Sequence, residues 1–123
     1  MAHEIGHQFG GNHTFNSEVG ACSGNRSFGA AYEPGSGSTI MAYAGICGSN
    51  NLQTNSDDYF HSKSFDEIII YTTTGNGANC PLVTPTGNTP PVINSVPVRI
   101  IPYLTPFRMT ADAYDPDGDP ITY

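Results

Sequence analysis

Positive charge is scarce in this chain of 123 residues, which has 4 lysines and arginines against 11 aspartates and glutamates. Its formal net charge is −7 at pH 7 with the histidines counted as neutral. Binding to nucleic acid or to an anionic membrane surface requires a patch of basic side chains. The composition therefore argues against both kinds of partner.

Long hydrophobic runs are also missing, so the sequence predicts no membrane insertion. No signal peptide is visible either, but a fragment without its N-terminus could not show one. Gly, Asn, Ser, Thr and Pro are abundant while strong helix formers are few. This composition predicts a loop-rich chain of extracellular origin rather than a helical bundle. The sequence leaves the oligomeric state open.

The chain has three cysteines, Cys22, Cys47 and Cys80, and an odd number leaves one without an intrachain partner. Cys22 and Cys47 flank one long loop, and a disulfide between them would tie that loop down in an oxidising compartment. Two alternatives are reduced, buried cysteines and zinc ligation, although no C-x-x-C pair supports the second. Cys80 could pair with a cysteine upstream of this chain.

The residues with the most distinctive chemistry lie at the start of the chain, where residues 3–13 read H-E-x-x-H-x-x-G-x-x-H. Residues four apart lie on the same face of a helix, so His3 and His7 can direct two imidazoles at one ion. Gly10 can adopt the positive φ that ends a helix, and the turn would bring back His13 as a third ligand. Three nitrogen ligands with an open fourth position predict a catalytic zinc site.

Glu4 lies one step round the predicted helix, too far round to share the direction of the histidines fully. This placement suits a general base acting on a zinc-activated water, rather than a third ligand. The competing interpretation is that the four histidines are scattered surface residues, because a bare H-E-x-x-H also occurs by chance. The extension of the motif to Gly10 and His13 favours the metal site.

The histidine motif and the later segment Ser38-Thr39-Ile40-Met41-Ala42-Tyr43 together resemble the metzincin clan of zinc metallopeptidases. The stretch from Tyr32 to Gly45 is similar in particular to secreted bacterial reprolysin-like peptidases, and the resemblance covers residues 1–80. It implies a secreted or cell-surface zinc metalloendopeptidase acting on protein or peptide substrates. In such an enzyme a zinc-activated water hydrolyses the peptide bond, with Glu4 as general base.

The resemblance implies roles for two residues of that later segment. Met41 would be the methionine of the Met-turn, an apolar floor beneath the zinc-binding histidines, although a methionine by itself is more often a core residue. Tyr43 would be an oxyanion stabiliser, a donor aimed at developing charge; the alternative is a core tyrosine with a satisfied hydroxyl. Thr14 departs from the adamalysin and reprolysin group, in which an aspartate usually follows the third histidine.

The fold class implied is α+β, with residues 1–80 as the C-terminal subdomain of a metzincin catalytic domain. This subdomain would be loop-rich, with a zinc helix, the Met-turn and a C-terminal helix. The last helix is predicted by a capping box in which Ser64 is the N-cap and Glu67 the third helical residue, with Gly75 closing the helix. The N-terminal subdomain of the clan is not present, so we expect a fragment of a longer protein, inactive without that subdomain.

The remainder of the chain changes in composition. Residues 81–91 are rich in proline and predict a linker. Residues 92–123 predict the truncated start of a second domain, a partial β-sandwich. Its strand-like runs are Val92–Ile93, Val96–Tyr103 and Phe107–Tyr114.

The final stretch, residues 111–123, resembles the A-x-D-P-D-G-D-x-x-x-Y signature of cadherin-like and other immunoglobulin-like repeats. Asp115, Asp117 and Asp119 alternate there with turn residues, and oxygen ligands at such spacing suit Ca²⁺. An acidic β-turn is the alternative, because Asp-Pro and Asp-Gly are turn signals in their own right. The sequence therefore leaves two interpretations of this segment.

A second metal site and a function without peptidase activity also remain open. Asp57, Asp58 and His61 could indicate the second metal site, although solvated loop residues explain them more simply. The chain could also be a catalytically inactive peptidase-like adhesin or binding module, or a hydrolase of a non-peptide bond. The complete set of three histidines and Glu4 favours the active peptidase.

Overall fold

The computed structural model describes residues 1–122, and Tyr123, which ends the acidic motif, lies outside the described residues. Within this range the chain is mostly loops, with two α-helices and one small antiparallel sheet of two strands. The elements are α1 (Ala2–Gln8), α2 (Ser62–Thr73), β1 (Val92–Ile93), β2 (Ala113–Tyr114) and three 3₁₀ turns, Gly20–Cys22, Gly48–Asn50 and Asn76–Asn79. The predicted loop-rich character is confirmed.

The contacts divide the chain into two compact units, the first Met1–Pro81 and the second beginning at Leu82. Both helices belong to the first unit and both strands to the second. None of the helices formed by residues 1–122 has the length and apolar character needed to cross a membrane.

Helix α1 ends at a glycine turn of the kind that the sequence predicts. Gly10 has a φ of +86°, which L-residues with a side chain rarely adopt. The N–H of Gly11 donates to the Gly6 carbonyl at 2.9 Å and that of Gly10 to the His7 carbonyl at 3.0 Å. These two bonds satisfy carbonyls that the helix end would otherwise leave free. The chain therefore reverses direction directly after α1.

Helix α2 begins three residues earlier than the capping-box pattern predicts, so the assignment of Ser64 as N-cap is wrong. His61 is the N-cap, and its Nδ1 accepts from the N–H of Lys63 at 3.0 Å. Ser64 is fully buried, and its hydroxyl has no hydrogen-bond partner among the described residues. The Glu67 carboxylate accepts from the N–H of Asn12 at 2.8 Å and from its side-chain amide at 3.1 Å. Glu67 therefore bonds to Asn12 in the turn after α1 instead of capping its own helix.

The core of the first unit is small. Phe15, Cys22 and Cys47 are fully buried, and Tyr43 packs against them. The structure joins Cys22 and Cys47 in a disulfide, whereas Cys80 is exposed and free. Because so few large side chains are buried in this loop-rich unit, the cross-link makes a large contribution to its stability.

We expect the double variant Cys22→Ala/Cys47→Ala to lose about 3 kcal/mol of unfolding free energy, because a cross-link between residues 25 apart restricts the unfolded chain. Urea denaturation followed by circular dichroism measures the loss. Cys80→Ala is the matched control, since its thiol is exposed and unpaired, and should change stability by less than about 0.5 kcal/mol. Equal stabilities for the two variants would contradict the prediction.

The second unit forms much less sheet than the sequence predicts. Its strands pair Val92 with Tyr114 and Ile93 with Ala113, so the predicted strand over 96–103 and most of the one over 107–114 are wrong. Prolines at positions 97, 102 and 106 have no N–H to donate to a ladder. Val98 is 97% exposed, so no second layer covers this apolar residue as a sandwich would. In place of the predicted partial β-sandwich, the described residues form a two-residue ladder.

Candidate metal centre

Three histidine side chains converge at the end of helix α1. His3 and His7 lie on the helix, and the glycine turn brings His13 back beside them. Their candidate ligand atoms all lie within 4.8 Å of one another, and Nε2 of His7 is 3.1 Å from Nε2 of His13. Across residues 1–122 they form the one group of three or more His, Cys, Asp or Glu side chains that could hold a metal ion.

Each of the three rings is oriented by a backbone carbonyl. The Nδ1 atoms contact the carbonyl oxygens of Ile40 (His3, 2.7 Å), Gly11 (His7, 2.7 Å) and Asn25 (His13, 2.6 Å). A carbonyl oxygen only accepts, so each Nδ1 must carry the hydrogen of its bond. In a neutral ring the lone pair is then on Nε2, and the Nε2 atoms of His7 and His13 face each other within the group. Metal-binding histidines are commonly fixed in this way.

The donor set fits zinc. Two Nε2 lone pairs facing each other at 3.1 Å repel unless a proton or a metal ion lies between them. Nitrogens bonded to a tetrahedral zinc at about 2.0–2.1 Å lie roughly 3.3 Å apart, close to the observed distance. Three imidazoles without a fourth protein ligand match the composition of a catalytic rather than a structural zinc site.

The environment of His13 favours the neutral form of its ring. Burial lowers the pKa of His13, and it outweighs the hydrogen bond to the Asn25 carbonyl, which acts in the opposite direction. The neighbouring His7 and His3 lower the pKa further, while Glu4 raises it. A histidine must be neutral to bind a metal, so the shift favours the metal-binding form.

Met41 packs against the helix that carries His3 and His7. Its side chain is fully buried, and a methyl group added to Gly6 would overlap its sulfur. A Cβ at Gly11 would lie 3.7 Å from its terminal methyl. Because Gly6 has no side chain, Met41 can pack directly against the backbone of the helix.

We expect Gly6→Ala to lower the free energy of unfolding by about 2 kcal/mol, because the new methyl would displace Met41. Helix propensity alone would change stability in the opposite direction, since alanine is favoured over glycine by about 1 kcal/mol in a helix interior. A loss of stability would therefore report the contact with Met41. Gly29→Ala is the matched control, as a Cβ there meets no atom within 4 Å. Thermal unfolding measures both, and a Gly6→Ala protein as stable as the wild type would refute the proposed close packing.

Comparison with known protein families agrees with this geometry. Residues 1–69 match the metallo-peptidase family M12B, reprolysin-like. This range is more than half of the chain and includes His3, His7 and His13. The chain belongs to the reprolysin-like M12B metallopeptidases. No curated protein and no solved structure matches it. The family match ends at residue 69, and nothing in the comparisons supports a cadherin-like or immunoglobulin-like repeat beyond it.

An open cleft of about 300 Å³ adjoins the metal centre of this reprolysin-like chain. It is lined by His3, Glu4, Ala42, Tyr43, Ala44 and Ile46. Glu4 is exposed to solvent, so its carboxylate is available to a substrate or a water molecule in this cleft. The residues predicted as general base and as oxyanion donor therefore line the same cleft as His3, one of the three candidate metal ligands.

The Tyr43 ring has contacts on two sides. Its centroid lies 4.5 Å from that of His13 and 5.5 Å from that of His3. It also lies 4.7 Å from the ring of the buried Phe15. Tyr43 thus lies between the small core and the metal ligands, a position compatible with packing and with a role in the cleft.

Thr14, where related peptidases usually have aspartate, is fully buried. Its N–H donates to the Met41 carbonyl at 3.2 Å, and its own carbonyl accepts from Glu33 at 2.8 Å. Its hydroxyl lies 3.5 Å from that of Thr39. The backbone after His13 is thereby joined to the segment before Met41 without a carboxylate at position 14.

The other predicted metal sites are not gathered into ligand groups among the described residues. Asp57 accepts from Gln53 and Tyr59, and His61 caps helix α2. Asp115 accepts from the N–H groups of Asp117 at 2.8 Å and Asp119 at 3.3 Å. Such bonds are those of an acidic turn, and Ca²⁺ binding at Asp115, Asp117 and Asp119 stays a prediction.

Sequence reasoning missed the residues that support the ligands. The carbonyls of Ile40 and Asn25 leave no trace in a sequence, because every residue has a carbonyl. Gly6 did leave a signal, since a glycine in a helix interior costs about 1 kcal/mol and indicates close packing. The buried Glu33 was also missed, although it lies in the stretch that resembles bacterial reprolysin-like peptidases.

Proposed function

We propose that this chain is the metal-binding part of a zinc-dependent metalloendopeptidase. The proposal rests mainly on the three Nδ1–H bonds to backbone carbonyls, which leave Nε2 of three clustered histidines free to bind one ion in a reprolysin-like chain. His3, His7 and His13 would hold the zinc. When bound, the ion would act as a Lewis acid that polarises the scissile carbonyl and lowers the pKa of water.

Glu4 would be the general acid and base. Its exposed carboxylate lies in the cleft beside His3 but outside the metal-binding group, so it is free to carry a proton. It would accept a proton from the attacking water and later donate one to the leaving amine. Tyr43 would donate from its phenol to the oxyanion of the transition state, and Met41 would support the helix from below.

The substrate, the compartment and the domain boundaries follow from the same proposal. Protein or peptide substrates would enter the open cleft, and the Cys22–Cys47 disulfide supports secretion, because such bonds persist in oxidising compartments. Residues 1–80 would be the peptidase subdomain, 81–91 a linker and 92–123 the start of a separate β-domain. These boundaries remain predictions.

Because we expect this chain to be inactive without the N-terminal subdomain of the clan, the test uses a zinc-loaded protein that includes that subdomain. Its cleavage of an unbiased peptide library is measured, with products identified by mass spectrometry. A strong chelator should abolish cleavage, and Zn²⁺ but not Mg²⁺ should restore it, because three imidazoles suit zinc and not magnesium. If the zinc-loaded protein cuts no peptide, the inactive peptidase-like binding module would replace the proposed enzyme.

A further inference from the structure

A buried carboxylate outside the three-histidine group supports the segment that leads to Met41. Glu33 is only 7% exposed. Its Oε2 accepts from the N–H of Ser38 at 2.6 Å and from the N–H of Thr39 at 3.1 Å. Its Oε1 accepts from the hydroxyl of Thr39. Three donors from two adjacent residues therefore converge on a single side chain.

The segment that Glu33 holds carries the acceptor for a metal ligand. Ile40 follows Thr39 directly, and its carbonyl accepts from Nδ1 of His3 at 2.7 Å. The orientation of the His3 ring thus depends on the Ile40 carbonyl. That carbonyl is positioned in turn by Thr39, which is bonded to the Glu33 carboxylate. Partners that orient metal ligands in this way commonly change metal affinity when they are removed.

A second connection runs from the backbone of the same residue. The N–H of Glu33 donates to the carbonyl of Thr14 at 2.8 Å, and Thr14 donates to the Met41 carbonyl at 3.2 Å. Thr14 directly follows His13. Glu33 therefore contacts both the chain that carries the third histidine and the chain that carries the Ile40 carbonyl.

The hydrogen bonds keep this carboxylate ionised. Burial raises the pKa of Glu33, but the hydrogen bonds from Thr39, Ser38 and Thr14 together outweigh it and hold the pKa below its ordinary value. Bonds to an ionised acceptor are shorter and stronger than bonds between neutral groups. The carboxylate is thus a firm anchor for residues 38 and 39.

We infer that Glu33 is a positioning residue of the metal centre, which holds the Ile40 carbonyl where it orients His3 and ties the chain after His13 to the same segment. This inference rests on the proposed metal centre. Glu33 does not touch the metal position or the cleft, and it acts through Thr39 and Thr14. This chain has Thr14 where the adamalysin and reprolysin group usually has aspartate, and Glu33 supplies a buried carboxylate near that position.

The test compares zinc affinity, by competition with a chromophoric chelator, and the visible absorption spectrum of the Co²⁺-loaded protein. Glu33→Gln removes the negative charge and replaces one acceptor oxygen by an amide N–H₂, which cannot accept, so we expect about tenfold weaker zinc binding and an altered Co²⁺ spectrum. Thr39→Val removes the hydroxyl bond while nearly keeping side-chain shape, and should shift both readouts in the same direction by less. If Glu33→Gln does not fold, the result for Thr39→Val decides whether this hydrogen-bonded segment positions the metal centre.

Ser17→Ala is the matched control. Ser17 is 2% exposed, and its hydroxyl accepts from Val19 and Asn50, neither of which contacts the histidines. This variant should lower stability but leave zinc affinity and the Co²⁺ spectrum unchanged. The inference is overturned if Glu33→Gln and Thr39→Val match the wild type, or if Ser17→Ala shifts both readouts equally. A wild-type protein that binds no zinc would instead refute the proposed metal centre.

Discussion

Replacing Glu4 by glutamine will reduce kcat for peptide hydrolysis by about 10³-fold while leaving one zinc per chain. The loss has this size because general acid–base catalysis contributes about 10²–10⁴-fold. Zinc should remain because the ligand group consists of His3, His7 and His13 and excludes the carboxylate. Glutamine keeps the size and the polarity of the side chain but cannot exchange a proton with water or with the leaving amine.

The measurement is turnover of a cleaved library peptide with the metal content of each preparation determined in parallel. Glu18→Gln is the matched control, as the same chemical change at an exposed residue outside the metal centre and its cleft. It should leave kcat unchanged. Turnover retained by a zinc-loaded Glu4→Gln protein would rule out Glu4 as the general base.

Replacing His7 by alanine will remove the metal itself. His7 is the middle one of the three histidines that could hold a metal ion, with Nε2 3.1 Å from that of His13 and its ring centroid 4.8 Å from that of His3. We expect its loss to weaken zinc binding well beyond the roughly 100-fold produced by losing an outer partner. Added zinc at 100 times the dissociation constant stabilises a folded protein by about 2.7 kcal/mol, and His7→Ala should lose this stabilisation at the same zinc concentration.

His61→Ala is the matched control for His7, because His61 is the one histidine outside the metal group. Its role is to cap helix α2 through the N–H of Lys63, so its removal should cost about 1 kcal/mol of stability. The zinc-dependent rise in Tm should persist in this variant. Zinc binding by His7→Ala as tight as that of His61→Ala would contradict the assigned ligand set.

Helix α2 shows how local and long-range interactions compete for the same side chain. The Ser64 and Glu67 pair has the sequence pattern of a capping box, yet Glu67 bonds to Asn12, 55 residues away. His61, whose ring accepts from the Lys63 N–H, caps the helix in place of Ser64. A local pattern therefore predicted the existence of the helix but not its first residue.

The second unit shows the limit of strand patterns. Strand-like runs after residue 92 predicted several strands, but within residues 92–122 only Val92–Ile93 and Ala113–Tyr114 pair. A strand needs N–H donors for a ladder and a second layer to bury its apolar face. The prolines were visible in the sequence, whereas the lack of a covering layer was visible only in the structure.

The three histidines that could hold a metal ion can be picked out from the amino-acid order alone, because all of them lie within residues 3–13. The helix repeat places His3 and His7 on one face, and Gly10 provides the positive φ that returns His13. The direction in which the rings point, by contrast, depends on the folded chain. The acceptor for His3 is the carbonyl of Ile40, 37 residues away, and the carboxylate that anchors this segment belongs to Glu33. Local geometry follows from sequence spacing, but contacts between distant backbone groups exist only once the chain has folded.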